Sequence, residues 1–487
     1  MRKNIRFFSV LMSMLVVLSA CGSGTAPVPA ALPPGPLDSG VLDSGPGALP
    51  EPPPEPEPEP EPDRPSPEEV EAIGEWLAPA VEEICRDYYV AGMSLVVFDQ
   101  WGPLWQHSCG WASAEEDRPA NEDTAYRIAS ISKAVTAMLA VDLAGQGKLD
   151  LDGDLSEIMG VTVRNPSCPE EVITPRHLLT HTSGLVDSGA YGSGITSNPL
   201  WPLERVVSQS FAPYPPGTCY IYSNFGMGMM SGVVESAAGE RFLAYTRERV
   251  FDPMGIDAGY SYDSIRDKER VANIYEGTAL SVYMPNWLNM SHKYETLPVG
   301  QLYGLGHGDL FISARDLSRF ARILAGAPQE GEPVRLEPEL LRQMQTVQYR
   351  EGEGESAILR GLGTQITDYL ITDRRMVGHQ GNAYGSICGM FVDPEEHTGF
   401  VFLTSGAWMG KDEAGIYYVN RDIGRAVYGA FFGYGETETE EAPGTESSVS
   451  SAPKGEADAA SRIEESPGAE LAVSSAPKGE EKAAPAE

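Results

Sequence analysis

The chain has 487 residues, which is enough for a large core and more than one domain by length alone. Its 70 acidic residues outnumber 35 basic ones and give a formal net charge of −35. This charge argues against nucleic acid or anionic lipid headgroups as partners, because both need basic patches. The sequence contains no Cys-x-x-Cys pair and no His-Glu-x-x-His, so the spacing argues against a zinc site.

Residues 1–21 predict an export signal. A basic start, residues 1–6, precedes an apolar run, residues 7–18, that is too short for a confident membrane span. Leu18-Ser19-Ala20-Cys21 resembles a bacterial lipobox, which implies cleavage before Cys21 and lipid on its thiol. We therefore expect an exported protein, lipid-anchored to the outer face of the cell membrane. The alternative is an ordinary signal peptide that contains a cysteine.

Two low-complexity segments flank a globular body. Residues 22–65 form a Pro/Glu-rich linker that cannot build a core and is expected to stay extended. At about 3.1 Å per residue, such a tether reaches on the order of 100 Å from the membrane. Residues 435–487 are expected to be a disordered acidic tail, because they contain little apolar sequence.

The body, residues 66–434, begins with predicted helix and strands. Ser66 starts a capping box with proline at the first helical position, and the helix continues to about Tyr88. Residues 92–98 indicate a buried strand that pairs with residues 104–107 across a short turn. The next helix starts at Ser130 and ends near residue 145.

The second half of the body returns to strands after a long helical and loop-rich middle. A capped amphipathic helix is predicted at residues 316–324, followed by strands and a last helix. These later elements are a strand near 376, strands at 386–392 and 399–404, and a helix at about 413–432. Strands at both ends predict an α/β fold of the α+β type, in which one antiparallel sheet is formed from both terminal parts. Helices flank this sheet, a mainly helical lobe is inserted, and a cleft lies between the lobes.

Ser130-x-x-Lys133 predicts a nucleophile with its base. A lysine three residues after a serine on a helix lies about one turn away on the same face, so its amine can reach the hydroxyl. An adjacent base is the usual way to activate a serine. This chemistry needs neither a metal nor a cofactor. By itself the pair is also compatible with an exposed helix start and a solvated lysine.

Two further segments carry candidate site residues. Tyr222 and Asn224 lie in a turn before a helix, where the phenol can move a proton and the carboxamide can bind a substrate amide. A helix cap with a packed tyrosine is the alternative. His379-Gln380-Gly381 precedes a strand and could line the cleft and supply N–H donors to an oxyanion. A tight turn between strands is the alternative.

The cysteines give one weaker expectation. With Cys21 set aside for lipid, five cysteines remain in the exported body, an odd number that leaves at least one unpaired. Cys168 and Cys219 lie in proline-containing loops and are the candidate disulfide pair.

Together these motifs resemble the serine beta-lactamase family, in the branch of class C beta-lactamases, D-alanyl-D-alanine carboxypeptidases and related esterases. Ser130-x-x-Lys133, Tyr222-x-Asn224 and His379-x-Gly381 occur in the order of that family. Two accessory stretches, residues 176–185 and 306–310, match as well, and the resemblance covers about residues 80–430. It implies a beta-lactamase/transpeptidase-like fold.

The resemblance also implies roles. Ser130 would be the nucleophile, Lys133 would help take its proton, and Tyr222 would relay a proton to the leaving group. Asn224, His379, Gln380 and Gly381 would bind substrate. The backbone N–H groups of Ser130 and Asn382 would form the oxyanion hole. His177 and His181, outside the three motifs, are expected to be structural.

His379 and Gln380 stand where the beta-lactamases of the family usually carry Lys and Thr. A histidine is mostly uncharged at neutral pH, so recognition of an antibiotic carboxylate is weakened. We therefore expect an envelope-anchored hydrolase that acts on D-alanyl peptides or esters as a DD-carboxypeptidase does. An esterase or class C-like beta-lactamase is one alternative, and a non-catalytic penicillin-binding surface protein is another. The expected partners are a small-molecule or cell-wall substrate and the membrane, with the protein as a monomer. A Ser-His-Asp hydrolase is disfavoured because the chain contains no Gly-x-Ser-x-Gly.

Overall fold

The computed structural model describes residues 64–276 and 291–434. The predicted export signal with Cys21, nearly all of the linker and the C-terminal tail lie outside the described residues. Within the described ranges, no helix combines the length and the apolar character needed to cross a membrane.

The α-helices and strands of the described residues range from two to 21 residues in length. The helices are α1 Pro67–Asp87, α2 Ile131–Gly145, α3 Leu155–Met159, α4 Pro175–Leu179, α5 Gly189–Thr196, α6 Leu203–Val207, α7 Asn224–Ala238, α8 Phe242–Tyr245, α9 Ser291–Tyr294, α10 Ala314–Ala325, α11 Pro338–Gln345 and α12 Tyr418–Phe432. The strands are β1 Gly92–Phe98, β2 Pro103–Ser113, β3 Arg118–Pro119, β4 Ala125–Arg127, β5 Phe311–Ser313, β6 Tyr349–Glu351, β7 Ile358–Arg360, β8 Gln365–Ile371, β9 Arg374–Ala383, β10 Ser386–Asp393 and β11 Thr398–Thr404.

The central sheet confirms the predicted architecture. Its nine strands run in the order β3-β2-β1-β11-β10-β9-β8-β7-β6, and every pairing is antiparallel. The early strand β1 pairs with the last strand β11, with Met93 opposite Thr404. The sheet is therefore built from both ends of the body, and the mainly helical residues between β4 and β5 form the insertion.

Helices cover both faces of the sheet, which is why β1 is buried along its whole length. Because side chains alternate along a strand, Met93, Leu95 and Val97 pack with α1 and α12 on one face. Val96 and Phe98 face the other way and belong to the core that contains α2 and α10. This second core surrounds α2, and the first turn of α2 lies at the candidate active site.

Capping and turn residues explain where the first and the last helix begin. Ser66 forms the predicted capping box with Glu69 at the start of α1. The last helix begins at Tyr418 rather than near residue 413, because the chain turns first. Gly415 has a φ of 74°, and the N–H of Ile416 donates to Asp412 Oδ1 at 2.9 Å.

The structure does not support the predicted Cys168–Cys219 disulfide. All five cysteines within the described residues are free thiols. Cys168 Sγ lies 3.9 Å from the carbonyl oxygen of Tyr214, and Cys219 Sγ lies 3.8 Å from that of Tyr220. Both cysteines lie near active-site motifs in the sequence, but this does not bring their sulfur atoms together.

Candidate active site

Ser130 is the residue that immediately precedes α2. Ala129 before it has a φ of 48°, in the left-handed region that a residue with a Cβ rarely adopts. This tight turn places Ser130 at the start of the helix, where it is partly exposed. Within the described residues its hydroxyl makes no cap hydrogen bond to α2. The hydroxyl is instead engaged by two other side chains.

Lys133 lies one turn along α2 and is completely buried. Its Nζ donates to Ser130 Oγ at 2.9 Å, to Asn224 Oδ1 at 2.8 Å and to the carbonyl oxygen of His307 at 2.6 Å. An ammonium group has three N–H donors, so each finds an acceptor. The amine is thus fixed at the serine hydroxyl by three different segments of the chain.

Burial makes the neutral form of Lys133 accessible near neutral pH. Burial lowers the pKa of Lys133 to about 7, although the negative charges of Asp187 and Asp309 partly offset this effect. A substantial fraction of the amine is therefore unprotonated near neutral pH. Such an amine has a lone pair that can accept the proton of the Ser130 hydroxyl.

Tyr222 contacts the same hydroxyl from the segment that precedes α7. Its phenol O–H donates to Ser130 Oγ at 2.8 Å, and its ring centroid lies 4.9 Å from Lys133 Nζ. Although 37% of this residue is exposed, desolvation raises the pKa of Tyr222 to about 12. The phenol therefore remains a proton donor. His181 stacks on the ring at 4.5 Å and accepts a hydrogen bond from the N–H of Ser223 at 3.2 Å.

Asn224 is oriented by an aspartate that the sequence analysis did not single out. Ser223 caps α7, so the carboxamide of Asn224 is free to face the cleft. Asn224 Nδ2 donates to Asp187 Oδ2 at 2.8 Å, which turns its Oδ1 towards Lys133. Asp187 Oδ1 accepts from the N–H of Phe225 at 2.8 Å and from Ser223 Oγ at 3.1 Å. No spacing rule links Asp187 to these residues, and only its contacts reveal it.

His379 lies on β9 and is uncharged. Its Nδ1 is 2.6 Å from the carbonyl oxygen of Gln380, so Nδ1 carries the ring proton. Burial, together with the positive charges of Lys133 and Arg360, lowers the pKa of His379 to about 3. The residue therefore contributes polarity but no positive charge at neutral pH.

Gly381 allows β9 to approach the turn before Ser130. A Cβ at this position would lie 2.3 Å from the carbonyl oxygen of Ile128. Asn382 follows, paired with Ile387 of β10. Within the described residues, the N–H of Ser130 donates to no protein group, which leaves it available to a substrate oxygen.

The prediction that Gln380 binds substrate is not supported by its position. Adjacent strand residues point to opposite faces, so Gln380 lies on the α12 side of the sheet. Its Nε2 donates to the carbonyl oxygen of Gly415 at 3.1 Å and to Gln365 Oε1 at 3.3 Å. Its Oε1 accepts from the N–H of Tyr417 at 2.8 Å and from Asn420 Nδ2 at 3.3 Å. This buried side chain has no spare group for a ligand.

The accessory stretches support the site. His177 caps α4, since its Nδ1 accepts from the N–H of Thr174 at 3.2 Å. In the glycine-rich stretch, His307 supplies the carbonyl that holds Lys133, and Asp309 pairs with Arg127 at 2.7 Å.

A serine hydroxyl held between a neutralisable amine and a protonated phenol can attack an electrophilic carbon and return a proton to a leaving group. The sheet, the helical lobe and this cluster together define a protein of penicillin-binding-protein and beta-lactamase architecture. The family model described as Beta-lactamase matches residues 76–425. The chain belongs to this family.

Individual relatives include both esterases and peptidases. Esterase EstB of Burkholderia gladioli is 28% identical over 194 residues, which cover 37% of this chain and 49% of that protein. The D-alanyl-D-alanine-carboxypeptidase/endopeptidase AmpH of Escherichia coli K12 is 28% identical over 174 residues, covering 34% and 44%. The chain thus spans about half the length of the curated relatives it matches.

A solved structure shows the same fold. The octameric penicillin-binding protein homologue from Pyrococcus abyssi superposes with a TM-score of 0.57 at 20% identity, covering 74% of this chain and 77% of the other. This likeness confirms the predicted beta-lactamase/transpeptidase-like fold.

Proposed function

We propose that the protein is a serine hydrolase that acts through an acyl-enzyme on Ser130, with D-alanyl peptides or esters as its substrates. One observation carries the proposal: Ser130 Oγ accepts hydrogen bonds from Lys133 Nζ at 2.9 Å and from Tyr222 at 2.8 Å. Both groups have the pKa that their task needs, about 7 for the amine and about 12 for the phenol.

The reaction proceeds by acylation and deacylation. Ser130 Oγ attacks the substrate carbonyl carbon while Lys133 takes the hydroxyl proton. The N–H groups of Ser130 and Asn382 bind the oxyanion. When the bond to the leaving amine or alcohol breaks, Tyr222 gives its proton to that group and recovers one from the Lys133 ammonium. Water then attacks the acyl-enzyme, releases the acid and restores the Ser130 hydroxyl.

Asn224 and His379 orient the substrate. The Asn224 carboxamide is held by Asp187 and Lys133 in one rotamer, so it presents a fixed donor and acceptor edge to a substrate amide. The buried, neutral side chain of His379 lines the substrate cleft with a polar group.

The neutrality of His379 also favours a second candidate function, hydrolysis of uncharged esters. No positive charge at this position stabilises a substrate carboxylate, whereas an ester without a carboxylate does not need one. The same reasoning weakens recognition of any substrate carboxylate, in a beta-lactam antibiotic as well as in a D-alanyl peptide with a free C-terminus, so a substrate panel decides between ester and peptide.

Active-site labelling tests the proposal. A fluorophosphonate and a fluorescent penicillin are expected to label the wild type and not Ser130→Ala. The exposed Ser208, which lies at the end of α6, provides a matched control, and Ser208→Ala should label like the wild type. Failure of both reagents on folded wild type would overturn acylation at Ser130.

A substrate panel ranks the candidate reactions. Nitrocefin, a short-chain p-nitrophenyl ester and a D-Ala-D-Ala peptide are offered to the same preparation. Repeated release of D-alanine supports the peptidase, and fast turnover of the ester alone supports the esterase. A single turnover on all three identifies a penicillin-binding protein without hydrolytic function.

We also propose that the enzyme is exported and anchored to the cell membrane by lipid on Cys21. The lipobox-like sequence at residues 18–21 and the extended Pro/Glu tether support this proposal. Cys21→Ala should move the protein from the membrane fraction to the soluble fraction and abolish labelling by a fatty-acid analogue. Unchanged membrane association of Cys21→Ala would contradict it. The tether would let a monomeric body reach cell-wall substrates.

A further inference from the structure

A second cluster of reactive side chains lies between α1 and β2. It is on the face of the sheet covered by α1 and α12, whereas Ser130 and α2 belong to the opposite face. The cluster contains Glu82 and Cys85 from α1, and His107 and Cys109 from β2. The proposed hydrolase mechanism uses none of these four residues.

Elementary geometry explains why they meet. Residues three apart on a helix lie on one face, so Glu82 and Cys85 both point towards the sheet. Residues two apart on a strand share a face, so His107 and Cys109 both point towards the helix. Neither Glu-x-x-Cys nor His-x-Cys is a recognised metal-binding spacing, which is why the sequence argued against a metal here.

The donor atoms are close enough to share one ion. One ligand atom each from Glu82, His107 and Cys109 lies within 4.8 Å of the others, and His107 Nε2 is 3.2 Å from Glu82 Oε1. Cys85 lies beside Cys109 in the same apolar cluster. Trp105 stacks on the His107 ring at 5.5 Å and restrains its orientation.

The two thiols and the imidazole also influence one another electrostatically. The neighbouring Cys85 thiol and the His107 ring lower the pKa of Cys109, while burial opposes them. The pKa of His107 is raised, chiefly by its contact with Cys109. These shifts reflect the close contact of the two thiols and the imidazole.

We propose that Glu82, His107 and Cys109 bind a zinc ion, with the thiol of the adjacent Cys85 as the fourth ligand. Two sulfurs, one imidazole nitrogen and one carboxylate oxygen are donors of the kinds and number that zinc accepts. Binding releases the thiol protons to solvent and changes no oxidation state. The ion would fasten the C-terminal half of α1 to the sheet, as a structural site independent of Ser130.

Metal binding by the full-length chain tests this proposal. The protein is reduced, stripped of metal and titrated with Zn²⁺ against a chromogenic chelator. We expect about one ion per chain and a higher melting temperature with zinc. Substituted Co²⁺ should give a thiolate charge-transfer band in the near ultraviolet.

Variants identify the ligands. Cys109→Ser and His107→Gln should each weaken zinc binding at least about 100-fold. Cys85→Ser should weaken the Co²⁺ thiolate band without abolishing it. Cys168→Ser changes a cysteine in a distant loop and should bind zinc like the wild type. Circular dichroism confirms that each variant is folded before titration.

Two results would overturn the proposal. One is less than stoichiometric zinc bound by the reduced wild type, or wild-type binding by folded Cys109→Ser. The other is a Cys85–Cys109 disulfide in protein isolated from its native compartment, detected by thiol counting and mass spectrometry, because a disulfide removes both sulfur ligands.

Discussion

Asp187 Oδ2 lies 2.8 Å from Asn224 Nδ2, and this bond orients the carboxamide that also contacts Lys133. An amide can present either its oxygen or its nitrogen to a neighbour. Because the carboxylate accepts only from the nitrogen, it leaves the Asn224 oxygen for the lysine. Asp187 is therefore a positioning residue that also places a negative charge near the amine.

Loss of this carboxylate should lower activity and shift its pH dependence. We expect Asp187→Ala to reduce kcat/KM by about 10- to 100-fold, because a misplaced substrate contact has an effect of this size. The charge of Asp187 raises the pKa of Lys133, so its removal lowers that pKa further below about 7. The acid limb of the pH–rate profile should move to lower pH.

Asp187→Asn separates charge from shape. It should shift the acid limb in the same direction, since the charge is lost, while the side chain keeps its size. A purely structural residue would lower the melting temperature and leave the limb in place, and that outcome would contradict the positioning role.

The pH dependence of the wild type should report Lys133. Only the neutral amine can accept the serine proton, so kcat/KM should rise with pH through about 7 and level off above it. The measurement is ester hydrolysis from about pH 5 to pH 9. Lys133→Arg keeps a permanent cation and should lose about 10²- to 10⁴-fold in rate. A profile that is flat on the acid side would exclude Lys133 as the base.

Tyr222→Phe should separate chemistry from packing. The ring would keep its stacking on His181 at 4.5 Å, while the hydroxyl bonded to Ser130 at 2.8 Å is lost. We expect kcat to fall by about 10²- to 10⁴-fold because one proton-transfer group is missing. The free energy of unfolding should change by less than about 1 kcal/mol. Hydrolysis close to the wild-type rate would remove Tyr222 from the proton path.

His379→Lys should change substrate preference. The pKa of His379 is about 3, so the wild type has no cation at this position at neutral pH. A lysine introduces one, and we expect the ratio of nitrocefin to neutral-ester turnover to rise by about 10-fold, or about 1.4 kcal/mol. His379→Gln adds no charge and serves as the control, with an unchanged ratio. Equal ratios in both variants would show that charge here does not select the substrate.

Gly381→Ala should disturb the site through the backbone. Its Cβ would lie 2.3 Å from the carbonyl oxygen of Ile128, so β9 or the turn before Ser130 must shift. We expect slower labelling of Ser130 and a loss of stability of about 1–3 kcal/mol. Gly429→Ala in α12 meets only the carbonyl oxygen of Tyr434 at 3.4 Å and should be nearly neutral. Thermal unfolding and labelling rates compare the two variants.

Much of this structure could be predicted because its signals are local. The pairing of Ser130 with Lys133 follows from helical spacing, and the strand at 92–98 follows from its continuous apolar run. Strand alternation could also have separated Gln380 from His379, since neighbouring residues on β9 must point to opposite faces. The family resemblance assigned Gln380 to substrate binding, whereas strand alternation places it on the face away from His379.

Other features depend on contacts between distant segments. Asp187 lies in a loop without periodicity, and its partner Asn224 is 37 residues away. Glu82 and His107 meet only because α1 packs across β2. The sequence contexts of Cys168 and Cys219 predict a disulfide, but the fold leaves both thiols free.

The sequence by itself determined the sheet built from both ends, the family and the serine–lysine–tyrosine motifs, because these depend on spacing within one element and on the order of motifs. The tertiary structure alone decided which side chains surround the amine, how far burial lowers the pKa of His379, and that donor atoms of Glu82, His107 and Cys109 converge on the far face. Burial and charge are set by all the segments that pack around a group, and no single stretch of sequence contains that information.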